Sequence, residues 1–346
     1  MKKVESVLVV LVMLVAVPCL AFEGYQGHEG QIPLCQNKRT GKLRFAPMKD
    51  IDRTTKVDYE PYCSTLTETI IWINIQGIQG PQGPPGPQGP KGDPTYVSTV
   101  VVSPVGNETQ NGTALLSALS GITASSTNRF LLKIEPGIYD IGTQSLQMKE
   151  YVDIEGSGET TTIIKGHIGF SWTGIVRGAN NAEIRLLAIN NMEGTPYSCA
   201  VMNVNVTASF KMTNVTTFAS GGLFCYSVYN HKSSPTMKNV TATAFGGTNN
   251  MGVVSDTSSP TMTNVTISAS GGKENYGVFT GDSGTVRIYH SVISATTATI
   301  YNHDYTTTLL ANTQLDGGPA QNEARGTLTC VGAYDGNYNA LNTSCQ

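Results

Sequence analysis

His231, Asp256, Asp282 and Asp304 come nearest, by type and spacing, to a reactive set in this chain of 346 residues. They follow one another at intervals of 25, 26 and 22 residues. Each sits at a turn that closes a short apolar segment: Asn230-His231-Lys232, Ser255-Asp256-Thr257, Gly281-Asp282-Ser283 and Asn302-His303-Asp304. If successive segments stack as coils, the four fall on one edge, roughly 5–8 Å apart once corner drift is added to the strand spacing. Carboxylates at that spacing can share a hard cation, with Asp256 and Asp282 as Ca2+ ligands. They can also divide acid and base roles with His231. The same column suits solvated turns, because Asp and Asn favour turns on their own account. No other cofactor is implied.

The elements that must carry this edge are written in a repeat. Asn214-Val215-Thr216, Asn239-Val240-Thr241 and Asn264-Val265-Thr266 recur every 25 residues, and Gly221-Gly222, Gly246-Gly247 and Gly271-Gly272 keep the same period. Between them lies a second strand: Ser227-Val228-Tyr229, Gly252-Val253-Val254, Gly277-Val278-Phe279. One such unit cannot bury its apolar residues alone. Stacking places Val215, Val240 and Val265 in one interior column and Val228, Val253 and Val278 in another. The pattern predicts an all-β fold, a right-handed parallel β-helix over residues 95–318, with a short helix at Ala114–Leu119 capping its first coil. Asn214, Asn239 and Asn264 also form sequons, as do Asn107, Asn111, Asn205 and Asn342. The repeat reads them as an inward amide ladder. Tyr226, Tyr229, Tyr276, Phe279, Tyr289 and Tyr301 suit either core packing or a sugar-stacking strip, because strand residues alternate in direction.

Upstream, Lys2 and Lys3, the apolar run Val7 to Val17 and Cys19-Leu20-Ala21 have the form of a signal peptide over residues 1–21. A lipoprotein anchor at Cys19 is the alternative, and Pro18 fits it badly. The expected location is therefore outside the cytoplasm, secreted or on the outer envelope of a bacterium, with no transmembrane span. Residues 22–76 form a small cysteine-containing head, with a hairpin at Lys38 to Phe45 and a strand at Thr69 to Asn74. Residues 77–94 are six Gly-X-Y triplets. They serve either as a stiff spacer or as a stalk that makes a homotrimer. Residues 319–346 are a tail. Only 14% of residues are charged and the net charge is −3, which excludes an electrostatic nucleic-acid partner.

Without Cys19, six cysteines remain, an even number that suits disulfides in an oxidising compartment. They fall into local couples: Cys35 with Cys63, Cys199 with Cys225, and Cys330 with Cys345. Cys199 and Cys225 lie 26 residues apart, which reads as facing positions on neighbouring coils.

Ile134-Glu135-Pro136-Gly137-Ile138-Tyr139-Asp140 and Val152-Asp153-Ile154-Glu155-Gly156-Ser157-Gly158-Glu159 resemble the opening coils of pectate-lyase-like β-helix proteins, pectinesterases included. The later repeats resemble bacterial right-handed β-helix proteins, and the likeness covers roughly residues 96–318. The head, Cys35 through Gly41-Lys42-Leu43-Arg44 and Cys63 to Trp72, resembles a module of bacterial exported proteins. The resemblance implies architecture. The catalytic strings of pectate lyases, polygalacturonases and pectinesterases do not carry over: Gly166-His167-Ile168 lacks a second glycine, and no Asp-Asp pair occurs. Two functions remain. One is a non-enzymatic exported protein, structural or adhesive, touching a polysaccharide or another cell-surface component. The other is a lyase or glycoside hydrolase acting on acidic polysaccharide through Asp256, Asp282 and Asp304.

Overall fold

The computed structural model describes residues 31–46, 48–50, 59–61, 63–64, 66–74 and 96–346. The expected signal peptide and Gly-X-Y segment lie outside the described residues. The chain divides into two compact units, Met1–Lys91 and Gly92–Gln346.

In the first unit, Gln31–Asn37 is the centre of an antiparallel sheet, flanked by Leu43–Phe45 and Glu68–Asn74. The expected hairpin is present, but its first arm is Gln31–Asn37 rather than Lys38–Thr40. Asn37 sets the turn: its side-chain oxygen accepts from the backbone N–H of Arg39 and of Thr40. Gly41 then takes a φ of +66°, where a Cβ would be strained. Cys35 and Cys63 are disulfide-bonded, with Cα atoms 5.5 Å apart.

The second unit is a right-handed parallel β-helix of about eight turns. Each coil has three faces. Long strands such as Lys211–Ser220 and Thr236–Phe245 supply two of them, bending where Asn214 and Asn239 take a φ of +53°. Leu186, Asn264, His290 and Asn312 continue that left-handed corner along the stack. Asn accepts this conformation more readily than most residues. Gly221, Gly246 and Gly271 make the second corner, at φ of +81°, +75° and +81°. The third face is a sheet of its own with eight strands, one per coil. A third left-handed column, Asn205, Lys232, Thr257 and Asp282, closes the triangle.

The expected interior columns are in place. Val228, Val253 and Val278 pair in register, and so do Val215 and Val240. All are buried. Met212, Met237 and Met262 form a further column on the first face. Pairing continues past Gly318: Ala320–Asn322, Thr327–Val331 and Tyr334–Asp335 add to the three faces. The Cys330–Cys345 disulfide pins the remaining tail, and the N–H of Leu341 bonds back to Ala333.

A helix, α1, at Glu108–Gly121, covers the other end and is longer than Ala114–Leu119. Its N-cap is Asn107, in a reciprocal box with Gln110. Asn111 is buried one turn in. It accepts from the N–H groups of Val105 and Gly106 and donates to Ile138, tying the helix to the first coil. Gly112 allows close seating, since a Cβ there would lie 2.0 Å from the Asp140 carbonyl.

The amide ladder exists but is not inward. Asn239 donates to Asn214 at 2.7 Å and Asn264 to Asn239 at 2.8 Å, at a corner that is partly exposed. A residue at positive φ points its side chain out of the bend, so these amides run along the outside. The inward ladders use other asparagines. Asn250 donates to Asn275 at 2.8 Å, and Asn203 to Asn230 at 2.9 Å, all of them buried.

The Cys199–Cys225 disulfide is overturned: both are free, buried thiols. The coil between them is 27 residues long, because Ser198 pairs with Cys225 and Cys199 with Tyr226. A 26-residue separation is thus one short of a coil. One residue of slip turns a side chain to the opposite face of a sheet. Cys225 lies inside, against Ala219 and Ala244, at the position that Asn250 and Asn275 hold in later coils. Cys199 faces outward.

Candidate functional site

The third-face sheet carries its chemistry on the outside. Within Tyr197–Val204, Phe224–His231, Asn249–Asp256 and Glu274–Gly281 the side chains alternate, with one break. Ala200 and Val201 both face inward, as do Ser227 and Val228, and the pairing skips Ala200 and Ser227. Two outward columns result. One runs Cys199, Tyr226, Met251, Tyr276, and the other Met202, Tyr229, Val254, Phe279, Tyr301.

The rings in these columns touch. Phe279 stacks on Tyr301 at 5.1 Å, nearly parallel at 2°, and Tyr276 meets both edge-on at 5.6 and 5.4 Å. Tyr226 meets Tyr229 edge-on at 5.1 Å, and Tyr197 stacks on Phe224 at 5.3 Å. Five of the six aromatics singled out in the sequence therefore share one outer face. Tyr289 does not, since it ends the first-face strand Gly284–Tyr289.

Over the early coils this face is roofed. The segment after Gly166 leaves the coil and returns at Val176, and its Trp172 reaches forward to Tyr229 at 5.8 Å and His231 at 4.6 Å. Phe170, Trp172, Tyr197, Cys199, Tyr226 and Tyr229 line a cavity of about 160 Å³ beneath it. Trp172 stays 52% exposed and Phe170 70% exposed, an uncommon state for such large apolar groups. Phe170 and Trp172 were missed in the sequence because no periodic signal marks an excursion between coils.

At the rim stands His231. Its Nδ1 lies 2.7 Å from Asp256 Oδ2, and both side chains are about one-fifth exposed. Register explains the contact, because His231 pairs with Asp256 directly. It also explains why Asp282 stands apart. Asp256 pairs with Gly281, so Asp282 falls one residue later, exposed in the left-handed corner beside Thr257 and Lys232. Asp304 turns elsewhere again, accepting from the Arg325 N–H at 2.7 Å. Tyr301 donates to Glu323 nearby, and His303 lies 3.6 Å from the same carboxylate. Of the four edge residues, the structure joins His231 and Asp256 alone. Among the described residues, the group of three ligand-type atoms within 4.8 Å is Cys35, Cys63 and Glu68, and those two cysteines are bonded to each other.

Burial sets the acidities. It pushes the Cys199 and Cys225 thiols up, out of the range of reactive thiolates. Native protein treated with iodoacetamide at pH 8 should leave both unmodified. Denaturant without reductant should expose both to alkylation, while the other two couples require reductant. Peptide mapping reads all three outcomes, and a Cys199–Cys225 cross-link would reverse the assignment. Tyr229 is pushed up to about 12 by burial and by the Asp256 carboxylate, and Tyr301 to about 12 by its bond to Glu323 and by burial. Unfolded tyrosine releases its proton near pH 10. The stability these groups add is therefore complete below about pH 10 and is lost as pH rises through about 12. Absorbance at 295 nm should show a tyrosine fraction that ionises only near that pH, together with unfolding.

No protein-family model matches the chain, and no curated protein matches it. Solved structures do. They include the pectin methylesterase from carrot, at TM-score 0.44 and 17% identity over 69% of this chain and 78% of that one. Pectin methylesterase PemA from Erwinia chrysanthemi matches at TM-score 0.39 and 12% identity, over 72% and 92% of the two chains. The catalytic domain of a GH87 alpha-1,3-glucanase matches at TM-score 0.36 and 19% identity, over 73% of this chain but 44% of that one. At these values the chain is similar to such proteins in its solenoid architecture, and nothing about activity passes between them.

Proposed function

We propose that this is an exported, non-enzymatic protein that contacts a glycan through the outer face of its third sheet. One observation carries the reading: two clusters of touching aromatic side chains on the outside of a rigid sheet, Tyr226 with Tyr229 at a roofed cavity and Tyr276 with Phe279 and Tyr301 two coils on. Sugar rings present apolar faces edged by hydroxyls, and half-exposed Tyr and Phe offer both an apolar body and a polar tip. The rod is the display element. In this reading the Gly-X-Y segment serves as a spacer or trimer stalk. Among the described residues no helix is long and apolar enough to cross a membrane.

A lyase or glycoside hydrolase acting on acidic polysaccharide is the second reading, favoured by the His231–Asp256 contact at the cavity rim. Glycoside hydrolysis usually needs two carboxyl groups about 5–9.5 Å apart. Here Asp256 is held by His231, and Asp282 and Asp304 are directed elsewhere. Affinity electrophoresis against immobilised polysaccharides tests binding. Uronate release from pectin and alginate, with and without Ca2+, tests turnover. The proposal expects retardation without release. Uronate release that vanishes in Asp256→Asn would establish the enzyme instead.

A further inference from the structure

The charge on the aromatic face and the position of its roof together specify the ligand more narrowly. The five strands Tyr197–Val204, Phe224–His231, Asn249–Asp256, Glu274–Gly281 and Ala298–Asn302 contain no lysine or arginine. Their outward charges are Asp256 and Glu274, and the preceding strand of the same sheet, Val176–Arg177, adds one cation, Arg177, in register with Met202. The cations at the margins, Lys232 and Lys273, stand at corners, Lys273 next to Glu274 and Lys232 two coils before Asp282 in the same left-handed column. At the C-terminal end the Arg325 guanidinium lies over the Tyr305 ring, and its backbone N–H donates to Asp304. The surface is neutral to acidic. An anionic chain laid along the five strands would meet Asp256 and Glu274 and only scattered cations at the margins, an arrangement that costs binding energy.

The roof fixes where a chain stops. Cys199 and Met202 point outward yet are only 2% and 3% exposed, and they share a cavity with the Phe170 to Thr173 segment above them. Beyond the roof, Met251, Tyr276, Phe279 and Tyr301 are partly exposed, with Val254 buried between them. A polymer following the sheet along the solenoid axis, at about 4.8 Å per coil, therefore runs over the rings of Tyr276, Phe279 and Tyr301, crosses the Met251–Val254 coil and then meets the wall of Trp172. The cavity under that wall is lined by Tyr197, Tyr226, Tyr229, Ser171 and Thr173 among others, and by no charged residue.

Resting on the glycan-contact reading, we propose that the ligand is an uncharged polysaccharide whose chain end seats in the cavity beneath Trp172, with the following sugars on Tyr276, Phe279 and Tyr301. The His231 imidazole at the rim packs edge-on against Trp172 and steadies the wall.

The full chain would be tested by affinity electrophoresis against hydroxyethyl cellulose, laminarin, dextran and soluble starch, with polygalacturonate and alginate as the anionic arm. The neutral glucan that binds best is then partially depolymerised, and its competition is measured per unit mass. Seating of the end predicts that inhibition by mass rises in proportion to chain ends, about tenfold for a tenfold cut. Trp172→Ala, a change at an exposed side chain, should remove that dependence while the thermal transition stays in place. Equal inhibition by mass for cut and uncut chains overturns end seating. Binding to polygalacturonate or alginate with none to the neutral panel overturns the charge inference and leaves the glycan-contact reading standing. No binding to any of the six overturns both.

Discussion

Asn250→Ala should lower the melting temperature of the β-helix by roughly 10 °C. Asn250 is fully buried. Its side-chain oxygen accepts from the Gly247 N–H at 2.8 Å, and its amide donates to the Gly247 carbonyl at 3.1 Å and to Asn275. Alanine leaves both backbone groups of Gly247 unpaired in a dry interior, at about 1–3 kcal/mol each, and opens a cavity as well. The sum is about 3–4 kcal/mol, and for a domain of this size each kcal/mol moves the midpoint by roughly 2–4 °C. Asn264→Ala is the control. It removes a rung of the partly exposed ladder and strains a left-handed corner, at a cost of about 1 kcal/mol. Calorimetry on both variants measures the difference. Equal shifts would show that the outer ladder bears as much of the fold as the inner one.

Phe279→Ala should weaken binding of a retained glycan by roughly tenfold, while Tyr289→Ala leaves it unchanged. Phe279 is the middle of the downstream aromatic cluster, touching both Tyr276 and Tyr301. Its loss removes one stacking platform and frees its neighbours from their packed orientation, an effect of about 1 kcal/mol or slightly more. Tyr289 lies on a different face. Dissociation constants from titration calorimetry, compared at matched thermal stability, read the effect. Equal loss in both variants would disperse the binding surface over the solenoid and remove the aromatic face as its cause.

The solenoid was legible because its period is long, regular and apolar in fixed places. Val215, Val240 and Val265 announce stacked coils before any register is known. Errors arose where one residue decides direction. A left-handed turn at Asn214 looks, as a string, the same as a strand interior, so its ladder was read as inward. The inward amides have a signal of their own: Gly246-Gly247 and Gly271-Gly272 are each followed, three residues after the second glycine, by Asn250 and Asn275. Cys225 holds that place one coil earlier, which by itself argues against a partner outside. The early coil of 27 residues hid this, because the period was measured where it is 25. Half of the candidate site could be read the same way. His231 and Asp256 are one true coil apart and meet, whereas Asp282, a single residue beyond, does not. The roof over Cys199 could not be read, because contact between Trp172 and Tyr229 spans 57 positions and follows no repeat.

The two 25-residue steps from Phe224 to Asn249 and from Asn249 to Glu274 have a consequence for how such a molecule can change. A coil touches only the coil before and the coil after it. Duplicating residues 246–270 would present the same corner, the same valine and the same amide to both new neighbours. The helix at one end and the disulfide-held tail at the other would never register the insertion. The distance from the Trp172 wall to Tyr301 would grow by one strand spacing, about 4.8 Å, with each copy. The molecule is in that sense a ruler whose graduations can be added or removed by unequal crossing-over, so that reach along a ligand is heritable in discrete steps while the seat for its end is left untouched.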